Sequence, residues 1–204
     1  SSDLKALEGR TRGRTDRLLR DATRYALTSD WDKAIDAARA RARITGDSMA
    51  AGDVARIIEQ AGRLEDARKE YAEVLRRFPG QPGIMLRYAR LLIADKKPKD
   101  AQQQLDEAER LYRALQNTEG LAAVELERAT LIEKVEPSLQ HARNAEQLAL
   151  SANSHAILIR ARLRQAIRHS ASGDLPQSEA MIRDAVALAE KYSLGNVAAQ
   201  GLAD

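Results

Sequence analysis

Apolar residues in this chain recur every three or four positions, and the face they mark is reset at each Gly, Pro or Ser-Asp punctuation. Val54, Ile57, Ile58 and Ala61 fall on one side of a helix. After Gly62 the stripe begins again, with Tyr71, Val74, Leu75 and Phe78 sharing a face. A period of 3.6 residues is the amphipathic-helix signature, and no stretch alternates with the period of two that a strand requires. The pattern predicts helices over residues 14–28 and 31–45, joined at Ser29-Asp30-Trp31, with Asp30 as cap and Gly46-Asp47 as stop. It predicts further helices over 49–61 and 64–78, the latter ended by Pro79-Gly80. The next pair covers 83–95 and then runs from Lys97-Pro98 to about Gln116, Pro98 fitting a first helical turn. Residues 119–134 form another helix. Its partner is opened by Pro137 and closed by Ala152-Asn153. A long helix over 154–171 is followed by the turn Gly173-Asp174-Leu175-Pro176 and a helix to about Tyr192. Residues 195–203 make a final short helix.

These helices come in pairs, and the pairs repeat. The second member opens with a small residue at Ala34, Ala67 and Ala101, 33 and 34 residues apart, then at Ser138 and Ser178 after steps of 37 and 40. Self-similarity at that period indicates an array of stacked hairpins in which each unit covers its apolar flank with the next. The units fall at residues 14–47, 48–81, 82–117, 118–153 and 154–194, with a partial sixth at 195–204. Residues 1–13 form an N-terminal arm or helix extension.

Composition narrows the chemistry. The 204 residues are 44% apolar, yet only 3% aromatic, with one Trp and one Phe. The core is therefore built from Leu, Ala and Ile, and an aromatic-lined cofactor pocket or base-stacking platform is not expected. Lys and Arg number 33 against 30 Asp and Glu. The excess lies in residues 1–44, with 11 basic against 7 acidic, while the remainder holds 22 against 23. No cysteine is present, which removes disulfides and thiolate sites. No apolar run is long enough for a membrane span, and no signal-peptide core opens the sequence. A cytoplasmic location is favoured on this reading.

The repeat resembles the tetratricopeptide family, a 34-residue helical hairpin with small residues and aromatics at set places. Ala55, Gly62, Ala67, Tyr71 and Pro79 stand at the expected positions of the second unit. Ala22, Tyr25 and Ala34 do so in the first, and Ala89, Ala101 and Ala108 in the third. The fourth and fifth units, with Ser138 and Ser178, are similar to the longer variant of bacterial signalling proteins and transcriptional regulators. The resemblance implies an all-α, right-handed superhelix of about five hairpins plus a terminal helix. It also implies a non-catalytic scaffold that holds a peptide or partner domain in a concave groove.

No catalytic or metal constellation emerges. His141, His155 and His169 are spaced by 14 and are expected on different helices. Carboxylates such as Glu65, Asp66 and Glu73 stand among Arg68 and Lys69 at helical spacings, which marks a solvated face. Arg10, Arg12 and Arg14, and Arg160, Arg162 and Arg164, lack interleaved aromatics, so nucleic acid is not an expected partner. No cofactor is implied. The resemblance aims the first helix of each hairpin at the groove, placing Leu19, Thr23, Arg56, Glu59, Leu86, Arg90, Ile93, Arg160 and Leu163 on its wall. Glu127 or Arg128 and Ile167 are further candidates. Each arginine has an alternative role as an ion pair within the stack. Val197, Ala198 and Leu202 give the last helix an apolar face with no following partner. That pattern suggests a piece of a longer protein and possible self-association through 195–204. The alternative function is the regulatory or sensor region of a bacterial serine/threonine kinase or transcriptional regulator.

Overall fold

A computed structural model describes the backbone of residues 2–203 and the side chains of residues 11–199 and 201. Among the described residues every regular element is α-helical. In order they are α1 (Ser2–Leu27), α2 (Trp31–Thr45), α3 (Ser48–Gln60), α4 (Leu64–Arg77), α5 (Pro82–Ala94), α6 (Pro98–Ala114), α7 (Thr118–Leu131), α8 (Val135–Ser151), α9 (His155–Ala171), α10 (Leu175–Lys191) and α11 (Gly195–Ala203). The chain divides into two compact units between Leu91 and Leu92.

In the first unit α1 packs on α2, α2 on α3 and α3 on α4. Its core joins Ala22, Ala34, Ile35, Ala38, Val54, Ala55, Ile58, Ala67, Tyr71 and Val74 with Ile84 of α5. Tyr71 is fully buried and stacks on Tyr88 with ring centroids 5.8 Å apart. In the second unit α7 packs on α6 and α8, and α9 lies against α7, α8, α10 and α11. Ile159, Leu163, Ala185, Ala189 and Ala198 form one cluster there, and Ala122, Ala149 and Leu158 another.

The small residues that mark each repeat are where the helices touch. Ala34, Ala55, Ala67, Ala89, Ala101 and Ser138 have no exposed surface. A larger side chain at any of them would hold the neighbouring helix away. Ser138 also donates its Oγ–H to the Ala129 carbonyl at 2.6 Å, which satisfies a hydroxyl placed where the earlier units use Ala. Glycine does the same work at Gly120, where an added Cβ would lie 2.2 to 2.5 Å from the ring of Tyr112.

Seven helix ends share one stop. At Ser29, Gly62, Lys96, Gln116, Asn153, Gly173 and Ser193 the backbone enters the left-handed region. The amide of the next residue then reaches back five positions, as in Arg63 to Ile58 at 3.2 Å, Lys97 to Leu92 at 2.8 Å and Asn117 to Tyr112 at 2.9 Å. This is the Schellman arrangement, which occupies carbonyls the helix would otherwise leave bare. Only two of the seven residues are glycine. The other five hold φ between 52° and 57°, a conformation that costs a side-chain-bearing residue about 1–2 kcal/mol.

Helix starts are less uniform. The carboxylate of Asp47 accepts from the Ala50 amide at 2.7 Å and the Asn117 side chain from the Gly120 amide at 2.7 Å. Asp30 stands at the expected cap position of α2 but makes no cap bond. Its carboxylate is drawn instead to Lys33, with Oδ2 2.6 Å from Nζ. The fourth hairpin's second helix begins two residues earlier than expected, at Val135, so Pro137 sits inside the first turn.

Two substitutions test this packing. Gln116→Gly relieves the left-handed strain at φ 52° and should raise stability by about 0.5–1 kcal/mol in denaturant unfolding, since glycine's extra freedom in the unfolded chain offsets part of the gain. Gly120→Ala forces α7 away from Tyr112 and should cost about 1–3 kcal/mol in the same measurement, with partial recovery when Tyr112→Leu is added.

Candidate functional site

The first unit contains a cleft of about 270 Å³ built by its first three helices. From α1 come Leu19, Thr23 and Leu27, spaced by four and therefore on one face. From α2 come Trp31, Ala38 and Arg41, and from α3 Asp53, Arg56, Ile57 and Gln60. Ala22, Ala26 and Ala38 form its floor, because alanines let the helices approach without filling the space above the crossing. Leu27 is 83% exposed and Leu19 43%, although the same helix buries Ala22 in the core.

Charge gathers on the far wall. The Asp53 carboxylate lies 3.1 Å from Arg41 Nη1, 3.4 Å from Arg56 Nη2 and 3.9 Å from Arg87 Nη1. Arg56 also donates to Gln60 Oε1 at 3.2 Å. Glu59 points elsewhere: its Oε2 accepts the Tyr71 hydroxyl at 2.9 Å. Burial first, and then the nearby Glu59 charge, push the Tyr71 pKa far above the usual phenol value, so this hydroxyl remains a donor. Three guanidinium groups thus gather at one carboxylate, Asp53, while Glu59 is tied to a core tyrosine. The wall carries a positive surplus beside an apolar floor.

Of the wall residues expected from sequence, the structure brings Leu19, Thr23 and Arg56 into this one cleft. Glu59 is the anchor of Tyr71. Leu86 is only 7% exposed and belongs to the interior, while Arg90 is exposed on α5 and Ile93 is half-buried. In the second unit the expectation fails at Leu163, which is fully buried. Its Cδ1 would lie 2.7 Å from a Cβ added at Gly201, so α11 covers the face that a partner was expected to use. Arg160 runs beside the same glycine and pairs with Glu127 at 3.3 Å, the carboxylate being almost wholly buried. Arg128 is enclosed by Asp106 at 2.7 Å, Glu109 at 2.6 Å and Glu125 at 3.2 Å. For Arg160 and Arg128 the ion-pair role holds. Val197 and Ala198, expected to offer a face for self-association, pack on the core of their own unit, while the Leu202 side chain lies outside the described residues.

Sequence reasoning missed Leu27, Trp31, Arg41, Asp53 and Gln60. Leu27 continues the four-residue spacing of Leu19 and Thr23 and was open to detection. Arg41 stands on the second helix of its hairpin, outside a register rule that considers only the first. The histidines also differ from expectation, since His155 and His169 share α9. They stand at opposite ends of it, His155 against the Tyr192 ring and His169 3.2 Å from Asp174. No group of three or more His, Asp or Glu suited to a metal occurs among the described residues. No helix among them is long and apolar enough to cross a membrane.

A family model for the tetratricopeptide repeat matches residues 59–119. Comparison with curated protein sequences gives no match. Among solved structures, BtubC from P. vanneervenii superposes with a TM-score of 0.71 at 15% identity, covering 87% of this chain and 80% of its own. A thermophilic tetratricopeptide protein of Thermus thermophilus gives 0.68 at 18% identity, over 93% of this chain and 100% of that one. Pseudomonas aeruginosa pilF gives 0.64 at 15%, over 94% and 90%. At these identities the likeness is one of fold. Residues 59–119 thus match the tetratricopeptide repeat in sequence, and the hairpins around them share the fold of the tetratricopeptide-repeat structures.

Proposed function

We propose that this protein is a non-catalytic scaffold whose first unit grips a peptide segment of a partner protein in the cleft between α1, α2 and α3. The observation that carries the reading is the joining, in one cleft, of exposed Leu19 and Leu27 with the Arg41–Asp53–Arg56 cluster. At about 270 Å³ the cleft falls below the roughly 300–1,000 Å³ of small-molecule sites. It suits one large apolar side chain. A carboxylate next to that side chain would meet Arg56, whose guanidinium is held by Asp53 at 3.4 Å and Gln60 at 3.2 Å and can turn outward. Recognition of this kind divides the labour: burial gives affinity, and the charged wall selects partners.

The test is selection of binders from a displayed random-peptide library against the whole chain. The enriched peptides should carry a large apolar residue beside Asp or Glu. Thr23 is exposed at the cleft's rim, so Thr23→Trp should plug it without disturbing the core. That variant should weaken the selected peptides about tenfold or more with unchanged helical circular dichroism. Arg56→Glu should abolish the preference for the acidic residue. Full binding by Thr23→Trp contradicts the reading.

A further inference from the structure

Beyond the cleft, α1 carries a second feature that its fold does not consume. Arg14, Arg17, Arg20 and Arg24 recur at spacings of three and four, so they form one ridge along the helix. All four are exposed, and the adjoining face, with Leu18, Ala22, Tyr25 and Ala26, is given to the core. Only Arg24 has a partner among the described residues: it pairs with Asp21 at 3.1 Å and lies over the Tyr25 ring. Many arginines elsewhere are paired within their own helix. Arg68, Arg76, Arg110 and Arg113 each sit beside a Glu three or four residues earlier. Arg17 instead follows Gly13 and Arg14 at those spacings and Arg20 follows Asp16 and Arg17, and no Asp16 pair forms among the described residues. Immediately beside the ridge lies a shallow apolar depression lined by Leu19, Thr23 and Leu27, with Arg20 and Arg24 at its edge.

We infer that this ridge and depression together dock an acidic amphipathic helix of a partner protein, laid along α1, with its apolar stripe on Leu19 and Leu27 and its carboxylates on Arg14, Arg17 and Arg20. The six steps from Arg14 to Arg20 span about 9 Å of helix axis, or nearly two turns. A partner helix with acids at i, i+4 and i+7 covers about 10.5 Å, close to the same reach. Guanidinium groups suit this task because each presents a planar fork to a carboxylate. The apolar component is narrow, two leucines on one edge, which fits the stripe of a helix rather than a broad lipid surface. The inference rests on the cleft being a partner site, since Leu19, Thr23 and Leu27 belong to both surfaces.

The probe is a synthetic 18-residue fluorescent helix with Leu at i, i+4 and i+7 and Glu on the adjoining stripe, measured by anisotropy against the full chain. A twin with Gln for every Glu, and vesicles containing phosphatidylserine, serve as comparisons. Binding should weaken about tenfold or more with the Gln twin and with the triple variant Arg14→Glu, Arg17→Glu, Arg20→Glu, and should fall as salt is raised. The lysine triple should retain most of the affinity, which separates charge from folding. Equal binding of the Gln twin, unchanged affinity of the glutamate triple, or retention on vesicles alone overturns the inference. If Thr23→Trp abolishes binding while the glutamate triple does not, the ridge fails and the cleft stands. If the triple abolishes it and Thr23→Trp does not, the ridge stands without the cleft.

Discussion

Close approach of helices is the constraint on which this structure depends. With 3% aromatic residues, the chain cannot fill wide gaps between helices, and its hairpins must meet at short range. Alanine, serine and glycine at the crossings permit it. Ala34, Ala67, Ala101 and Ser138 each have no exposed surface, and Gly120 admits the Tyr112 ring where any Cβ would collide. Interiors are packed as densely as organic crystals, so a methyl group gained or lost at such a point is felt along both helices. The recurring stop at each helix end serves the same need. Five residues other than glycine accept left-handed strain because the turn they form brings the next helix back onto the last.

This close packing also determines where surface is left for a partner. In the second unit α9 is covered by α7, α8, α10 and α11, and its charged residues are spent inward. Glu127 is buried with Arg160, and Arg162 is bound to Glu146 at 2.8 Å. In the first unit the alanines of α1 and α2 leave a cleft, and Leu19 and Leu27 remain at its edge. Burial of apolar area and a surplus of guanidinium groups occur at the same place, which the proposed scaffold role requires and which the interior of the second unit does not provide.

Much of the architecture was legible in the residues themselves. Gly46 and Gly62, the Lys97-Pro98 boundary and the small residue opening each second helix all report backbone or packing demands that admit few residue types. The final helix over 195–203 was visible for the same reason. The site was legible only in part. Leu19, Thr23 and Arg56, expected on an inner wall from the repeat register, line one cleft. Leu163 and Glu127 were misplaced because that register says nothing about whether a later helix will cover the face. Arg41 was missed because it reaches the cleft from the second helix, through a pairing with Asp53 twelve residues on that no local pattern announces. Asp30 shows a further limit: a cap depends on the absence of a competing cation, and Lys33 supplies one.

Methyl nuclear magnetic resonance of the whole protein, titrated with a selected apolar–acidic peptide, probes the cleft of the first unit directly. Saturable shifts are expected, concentrated on Leu19, Leu27 and Ile57, with the Ala38 methyl following because it lies on the cleft floor. Shifts confined to residues such as Ile157 and Leu188 of the second unit, or the absence of any saturable response at Leu19 and Leu27, would contradict a partner site in the cleft.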